Sequence, residues 1–149
     1  MSITEQVKKD VVVAMKAHDK ERVSALRMIL SQLQMGAKEA AEDFGEEQEL
    51  KVLATEKKKR LQAAEGFRAG GREESAAKEE AEAGIIDTYL PQAMSDDDLA
   101  KLVDDAIEAT GALDIKDMGK VMSQLMPLAA GRADGNVASA MVKKRLTAG

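Results

Sequence analysis

Apolar residues recur every three or four positions through most of this chain and rarely alternate with polar ones. That period puts them on one stripe of an α-helix rather than on one face of a strand. Ile3, Val7, Val11 and Met15 mark the first stripe. Ser2 and Glu5 precede it as a capping box, in which hydroxyl and carboxylate each satisfy an orphan amide. Asp19 caps a second helix that turns Val23, Leu26, Leu30 and Leu33 inward. Residues 36–45, with glycine at both ends, read as a joint. A third helix over Glu46–Ala69 buries Leu50, Leu53, Leu61, Ala64 and Phe67, and stops at Gly70-Gly71, where glycine tolerates the left-handed conformation. The fourth spans 72–90 and buries Ile85, Ile86, Tyr89 and Leu90. Gly84 inside it costs ~1 kcal/mol relative to alanine, which a close helix crossing explains.

Pro91 ends that helix, and 90–94 is the predicted boundary between domains. Ser95 restarts the chain as an N-cap, with Asp96, Asp97 and Asp98 in a first turn that favours negative charge. Leu99, Leu102, Val103, Ala106 and Ile107 face inward until Gly111. A sixth helix covers 115–126 and stops at Pro127; a seventh begins near Asp134 and carries Val137, Met141, Val142 and Leu146. The predicted fold is all-α: an N-terminal four-helix domain, residues 1–92, then a small three-helix C-terminal domain, residues 95–149. Composition agrees, because Ala, Lys, Glu, Met and Leu dominate the 149 residues while glycine (11) and proline (2) are sparse.

Chemistry is constrained by what the chain lacks. With no cysteine, a disulfide framework, thiolate metal site or cysteine nucleophile is ruled out. A single histidine, His18, makes no metal cluster and is expected to cap carbonyls or to be solvated. No serine sits in a Gly-x-Ser-x-Gly or Ser-x-x-Lys setting, and no phosphate-binding Gly-x-x-x-x-Gly-Lys-Ser/Thr loop is present. The expectation is therefore no catalytic residue, no cofactor and no metal. Apolar runs fall far short of the ~20 residues that span a bilayer, and no apolar signal region opens the chain, so a cytoplasmic protein off the membrane is expected.

Charge is distributed unevenly. The net charge is −5, which opposes bulk attraction to nucleic acid. From residue 116 onward, however, Lys116, Lys120, Arg132, Lys143, Lys144 and Arg145 face only Asp117 and Asp134, a local +4 against −9 for residues 1–115. These six are the candidate RNA-backbone contacts. Each also has a structural reading. The turn Gly131-Arg132-Ala133-Asp134-Gly135 is either an anion site at a helix start or plain turn chemistry with Asp134 as cap. Lys143-Lys144-Arg145 either meets RNA or complements the dipole of the last helix. Gly119, beside Lys120, permits close approach of a backbone or of another helix. The run Lys57-Lys58-Lys59-Arg60 wraps the helix and reads as a solvated face among Glu56 and Glu65. Met118, Met122 and Met126 are core filler or an adaptable partner surface.

Several of these segments together resemble the YqeY-like family. In the N-terminal half they are Ala14-Met15-Lys16-Ala17, Asp19-Lys20-Glu21-Arg22 and Leu26-Arg27-Met28. In the middle they are Ala69-Gly70 with Arg72, Lys78-Glu79-Glu80 with Glu82, and Tyr89-Leu90-Pro91. The C-terminal set is Met118-Gly119-Lys120-Val121-Met122, Leu125-Met126-Pro127 and Gly131 to Gly135, with Gly119, Met122, Gly131, Ala133, Asp134 and Gly135 as the motif positions. The resemblance implies a helical two-domain fold whose part 95–149 is similar to the tail of the B subunit of the Asp/Glu-tRNA amidotransferase. That tail helps hold tRNA while the glutamine-dependent carbon–nitrogen ligase chemistry occurs elsewhere in the enzyme. Carried over, it implies a non-catalytic module that binds tRNA or a tRNA-handling complex, with amidotransferase subunits or another protein as partners. The alternative is a protein–protein adaptor without RNA affinity. One departure is Leu128-Ala129-Ala130, where the family tends to carry lysines.

Overall fold

The computed structural model describes residues 1–148, which form seven α-helices and one 3-10 turn. Two compact units emerge, Met1–Pro91 and Gln92–Gly149.

The first unit holds α1 (Ile3–Lys16), α2 (Lys20–Ala40), α3 (Glu46–Ala69) and α4 (Glu73–Asp87). The predicted capping box is present: Glu5 N donates to Ser2 Oγ at 3.1 Å and Ser2 N to Glu5 Oε2 at 2.9 Å. Between α1 and α2 the chain reverses at His18, left-handed at φ 56°. There His18 N donates to Met15 O and Asp19 N to Ala14 O, the Schellman pattern that closes a helix end. Val7, Val11 and Ala14 of α1, Leu26, Ile29 and Leu33 of α2, Leu53 of α3 and Ile86 of α4 make one buried cluster.

Five expectations fail in this unit. Met15 is exposed and Ala14 takes the inward place, because the period of 3.6 drifts off a strict four-residue spacing. The Met15 sulfur instead accepts from Arg27 Nη2 at 3.7 Å. The joint at 36–45 begins only at Ala41, since α2 runs straight through Gly36. Gly36 serves packing: a Cβ there would lie 3.0 Å from Val52 Cγ2 and 3.1 Å from the Phe44 ring. Gly84 does the reverse of what its cost implies, for a Cβ on it meets nothing within 4 Å. Leu61 is exposed, because past Leu53 the third helix leaves the main cluster and packs chiefly on α4. The fourth helix also stops at Asp87, and Thr88, Tyr89 and Leu90 tighten into successive turns on the carbonyls of Ile85, Ile86 and Asp87. Tyr89 donates its hydroxyl to Asp10 of α1; burial first, and then Asp10, push its ionisation well above the usual phenol range.

The second unit holds α5 (Asp96–Thr110), the 3-10 turn Ile115–Asp117, α6 (Met118–Ala129) and α7 (Gly135–Ala148). Ser95 Oγ accepts from Asp98 N at 3.1 Å, and Gly111 closes α5 at φ 66°. Leu99, Val103 and Ala106 meet Val121, Leu125 and Ala129 and then Ala138, Val142 and Leu146 in a second buried cluster. The sixth helix differs from expectation at both ends. It opens with a 3-10 turn, and it continues through Pro127 to Ala129. Proline's fixed φ suits a helix, and near the C-terminus its missing donor leaves only the Ser123 carbonyl unbonded, at an exposed residue.

Candidate functional site

The chain turns back after 130–134: Arg132 O accepts from Met94 N just before α5, Arg145 of α7 pairs with Asp104 further along α5, and α7 contacts the 3-10 turn. The last turns of α7 therefore lie beside the start of α6. Of the six sequence-predicted cations, Lys116, Lys120, Lys143, Lys144 and Arg145 fall in this half of the unit. Arg132 does not. It sits in the α6–α7 turn, separated by the length of α6, twelve residues or ~18 Å.

Arg132 is also committed elsewhere. Its Nε donates to Gln92 O at 3.2 Å, while its own carbonyl accepts from Met94 N at 2.8 Å. Backbone and side chain together hold the entry segment 92–94 against the turn. Gly131 supports the turn at φ 73°, a left-handed value that favours glycine. Asp134 Oδ1 accepts from Asn136 N at 2.8 Å, so the amides opening α7 are capped internally. These bonds make the Gly131–Gly135 motif a turn that also braces 92–94. Ala133 packs against the buried cluster, and a Cβ on Gly135 would lie at an ordinary 3.8 Å from Met126 Cε.

The C-terminal basic cluster divides. Arg145 pairs through Nε with Asp104 of α5, a structural tie between two helices. Lys143 and Lys144 are exposed, as is Lys116. The Lys120 side chain is 71% exposed, with Asp117 Oδ1 3.9 Å away. Gly119 beside it meets nothing within 4 Å, so neither a helix nor a backbone crowds that position. Met118 and Met122 pack against the core of the unit.

The loop that precedes α6 is built by two aspartates. Asp114 Oδ1 accepts from Lys116 N at 2.9 Å, and Asp117 Oδ2 reaches back to accept from Leu113 N at 2.9 Å. The Leu113 amide, helped by the Asp114 backbone and Lys120, holds the Asp117 carboxyl below the usual range. Asp117 thus stays a carboxylate near neutrality. The loop carries Leu113 at 88% exposure and Ile115 at 42%.

Charged side chains in the first unit do structural work that local sequence spacing hid. Glu49, in α3, is 3% exposed and accepts from Thr4 N at 2.7 Å and Thr4 Oγ1 at 2.6 Å, capping the first turn of α1. A buried carboxylate at a helix start compensates the positive end of the dipole. Of the basic run read as a solvated face, Lys58 and Lys59 are exposed, whereas Lys57 and Arg60 cross-link α3 to α4. Lys57 pairs with Asp87 at 2.6 Å; Arg60 reaches Glu56 and Glu79 at 3.4 Å each and Glu82 at 3.8 Å. Nothing in local spacing flags these pairs, since α3 and α4 partners lie ~20–30 residues apart. An open groove of about 260 Å³ between α2 and α3 is lined by Gln32, Met35, Gly36, Val52 and Thr55 among others. Among the described residues, no group of three or more His, Asp or Glu side chains is arranged to hold a metal ion. No helix is long and apolar enough to cross a membrane.

The model of the family described as Yqey-like protein matches residues 4–146. No curated protein matches the chain.

Proposed function

The chain belongs to the YqeY-like family over nearly its whole length, and from that premise we propose that its C-terminal unit is a non-catalytic module that binds tRNA, free or held in a tRNA-handling complex. The observation that carries this reading is the grouping of exposed Lys116, Lys120, Lys143 and Lys144 in one half of the three-helix unit. The unit as a whole has seven basic and nine acidic side chains, a net charge of −2, so any attraction must be local. Asp96, Asp97 and Asp98 open α5, whereas Asp104, Asp105, Glu108, Asp114 and Asp117 stand between the middle of α5 and the start of α6, with Asp104 paired to Arg145 and Asp117 3.9 Å from Lys120. The expected resemblance of 95–149 to the amidotransferase B-subunit tail, which rests on the sequence motifs alone, supplies the ligand class of this proposal. No catalytic role is assigned, because the chain has no cysteine and no serine in a nucleophile motif.

Phe44, Phe67 and Tyr89 are the chain's aromatic residues, and all lie in the first unit. Recognition by the second unit thus proceeds without base stacking on aromatics, through backbone charge and shape. Four phosphate contacts give a slope of roughly −3 in log affinity against log salt, or about a 60-fold loss between 50 and 200 mM. The test is titration of the full chain with bulk tRNA across that range, beside the quadruple charge reversal at Lys116, Lys120, Lys143 and Lys144. The reversal is expected to abolish the slope and the binding. Unchanged tRNA affinity in the reversed protein, or no affinity in the native one at low salt, overturns the reading and leaves the adaptor alternative. Arg132 is kept out of this variant because it braces 92–94.

A further inference from the structure

We infer that the connection between the two compact units is a joint confined to Pro91, with Arg132 as the lock that keeps the segment after it ordered. The inference stands apart from the tRNA reading, since no bond in it involves the exposed lysines.

The chain leaves the first unit under restraint as far as Leu90. The amides of Thr88, Tyr89 and Leu90 donate to the carbonyls of Ile85, Ile86 and Asp87 at 3.2, 3.0 and 3.2 Å. The Tyr89 hydroxyl donates to Asp10 of α1, and the side chains of Tyr89 and Leu90 pack against the first buried cluster.

Restraint resumes at once in the second unit. Met94 N donates to Arg132 O at 2.8 Å, and Met94 packs against the second buried cluster. Arg132 Nε donates to Gln92 O at 3.2 Å. The arginine is itself fixed by the end of α6, because its amide donates to Ala129 O at 3.0 Å, beside Ala133 N at 3.1 Å on the same carbonyl. Gln92 and Ala93 are exposed, so burial does not hold them. The Arg132 bond to the Gln92 carbonyl is thus what orders the residues between Pro91 and Met94.

Pro91 is what remains between the two braces. Its peptide bonds are planar and trans. Its ring fixes φ, and its bulk steers Leu90 away from the helical region. The soft torsions left are the ψ of Pro91 and those of Gln92, and the Arg132 bond restrains the latter. So few free torsions make a pivot of small amplitude rather than a flexible linker.

The test is backbone amide relaxation and residual dipolar couplings, by nuclear magnetic resonance, of the full chain and its Arg132→Ala, Arg132→Met and Tyr89→Phe variants. In the native chain the Gln92 and Ala93 amides are expected to be as ordered as those of α5. The couplings of the two units are expected to require alignment tensors of different magnitude, which reports motion at a joint. Both Arg132 variants are expected to disorder Gln92 and Ala93 and to widen the difference between the tensors. Cleavage at 91–93 by a broad-specificity protease is expected to rise about fivefold, the population shift of one net hydrogen bond. Arg132→Met keeps the apolar stem and removes the donor, so agreement of the two variants assigns the effect to the bond. Tyr89→Phe is expected to loosen 88–90 and to leave Gln92 and Ala93 native. Mobile Gln92 and Ala93 amides in the native chain, or one tensor of one magnitude for both units, overturn the joint. Native order of these amides in Arg132→Met overturns the lock. Loosening of Gln92 and Ala93 by Tyr89→Phe overturns the confinement to Pro91.

Discussion

The α3–α4 hairpin and the three-helix unit are both antiparallel helix packings, yet they cohere by different means. In the second unit Leu99, Val103, Val121, Leu125, Val142 and Leu146 fill the space between helices, with small alanines where the backbones approach. Along the hairpin, beyond Leu53 and Ile86, the buried apolar side chains are Ala64, Ala76 and Ala83 alone. Charged rungs bridge the gap: Lys57 to Asp87, Arg60 to Glu79 and Glu82, and Arg68 to Glu73 and Glu80 at 2.9 and 2.6 Å. The difference teaches that helix content alone says little about cohesion. One packing answers to lost volume, the other to ions and protons.

The largest expected effect falls on the apolar side of this contrast. Leu125→Ala removes a fully buried side chain from a small core and is expected to cost ~2–5 kcal/mol. Such a loss is expected to unfold most of the second unit, a small unit being marginally stable. Loss of the α5–α7 helicity at lower urea, with the first unit's transition unmoved, is the outcome that checks it. An unchanged midpoint would break the claim that volume holds this unit.

Next comes the ionic side. Arg60→Ala leaves Glu56, whose side chain is 5% exposed, with only Lys59 at 3.4 Å. The expected cost is ~2 kcal/mol, reduced from a fully buried pair because Arg60 is partly solvated. Added salt is expected to lower the native midpoint of the first unit more than that of Arg60→Ala, which has already lost the screened contacts. Paired denaturation curves at low and high sodium chloride decide the point.

The smallest effect is one of pH, and it has two signs within a single hairpin. Burial first, then Glu79, raises the Glu82 carboxyl above its ordinary 4.5 in the folded state, against Arg60 and Lys78. A raised folded value means that the folded chain binds protons more readily, so this group's contribution is present below the unfolded pKa and is lost as pH rises through the folded one. Glu73, held down by Arg68, works oppositely: its contribution is present above the unfolded pKa and is lost as pH falls through the folded one. Glu82→Gln is therefore expected to flatten the dependence just above pH 4.5, and Glu73→Gln the dependence below it. Melting temperatures in half-unit pH steps separate the two windows, and identical profiles for both variants would refute the assignment.

Much of the architecture was legible because helix signals are local. Ser2, Asp19 and Ser95 at N-caps, Gly71 and Gly111 at left-handed ends, and the 3.6-residue stripe need only nearby residues to be read. The bounds of α3 follow entirely from such signals. What was hidden is what a distant partner decides. Gly36 looks like a hinge until Val52 and Phe44 arrive against it. Arg132 looks like a free cation until Gln92, forty residues upstream, takes its Nε. At the candidate site the lysines were readable from the local excess of positive charge after residue 115. Their separation from Arg132 and the spending of Arg145 on Asp104 required the antiparallel return of α7. Leu113 went unremarked because an apolar residue in a loop fits no periodic template.

The Glu49 cap carries a kinetic meaning. The leading amides of a helix ordinarily have no internal acceptor and trade their hydrogens with solvent almost freely. In α1 the Thr4 amide is bonded instead to a carboxylate forty-five residues away, and Ile3 N lies 3.4 Å from the same group. Its deuterium uptake thus reports the undocking of α3, rather than fraying of the helix to which it belongs. An amide near one end of the sequence becomes a clock for the separation of α1 from α3.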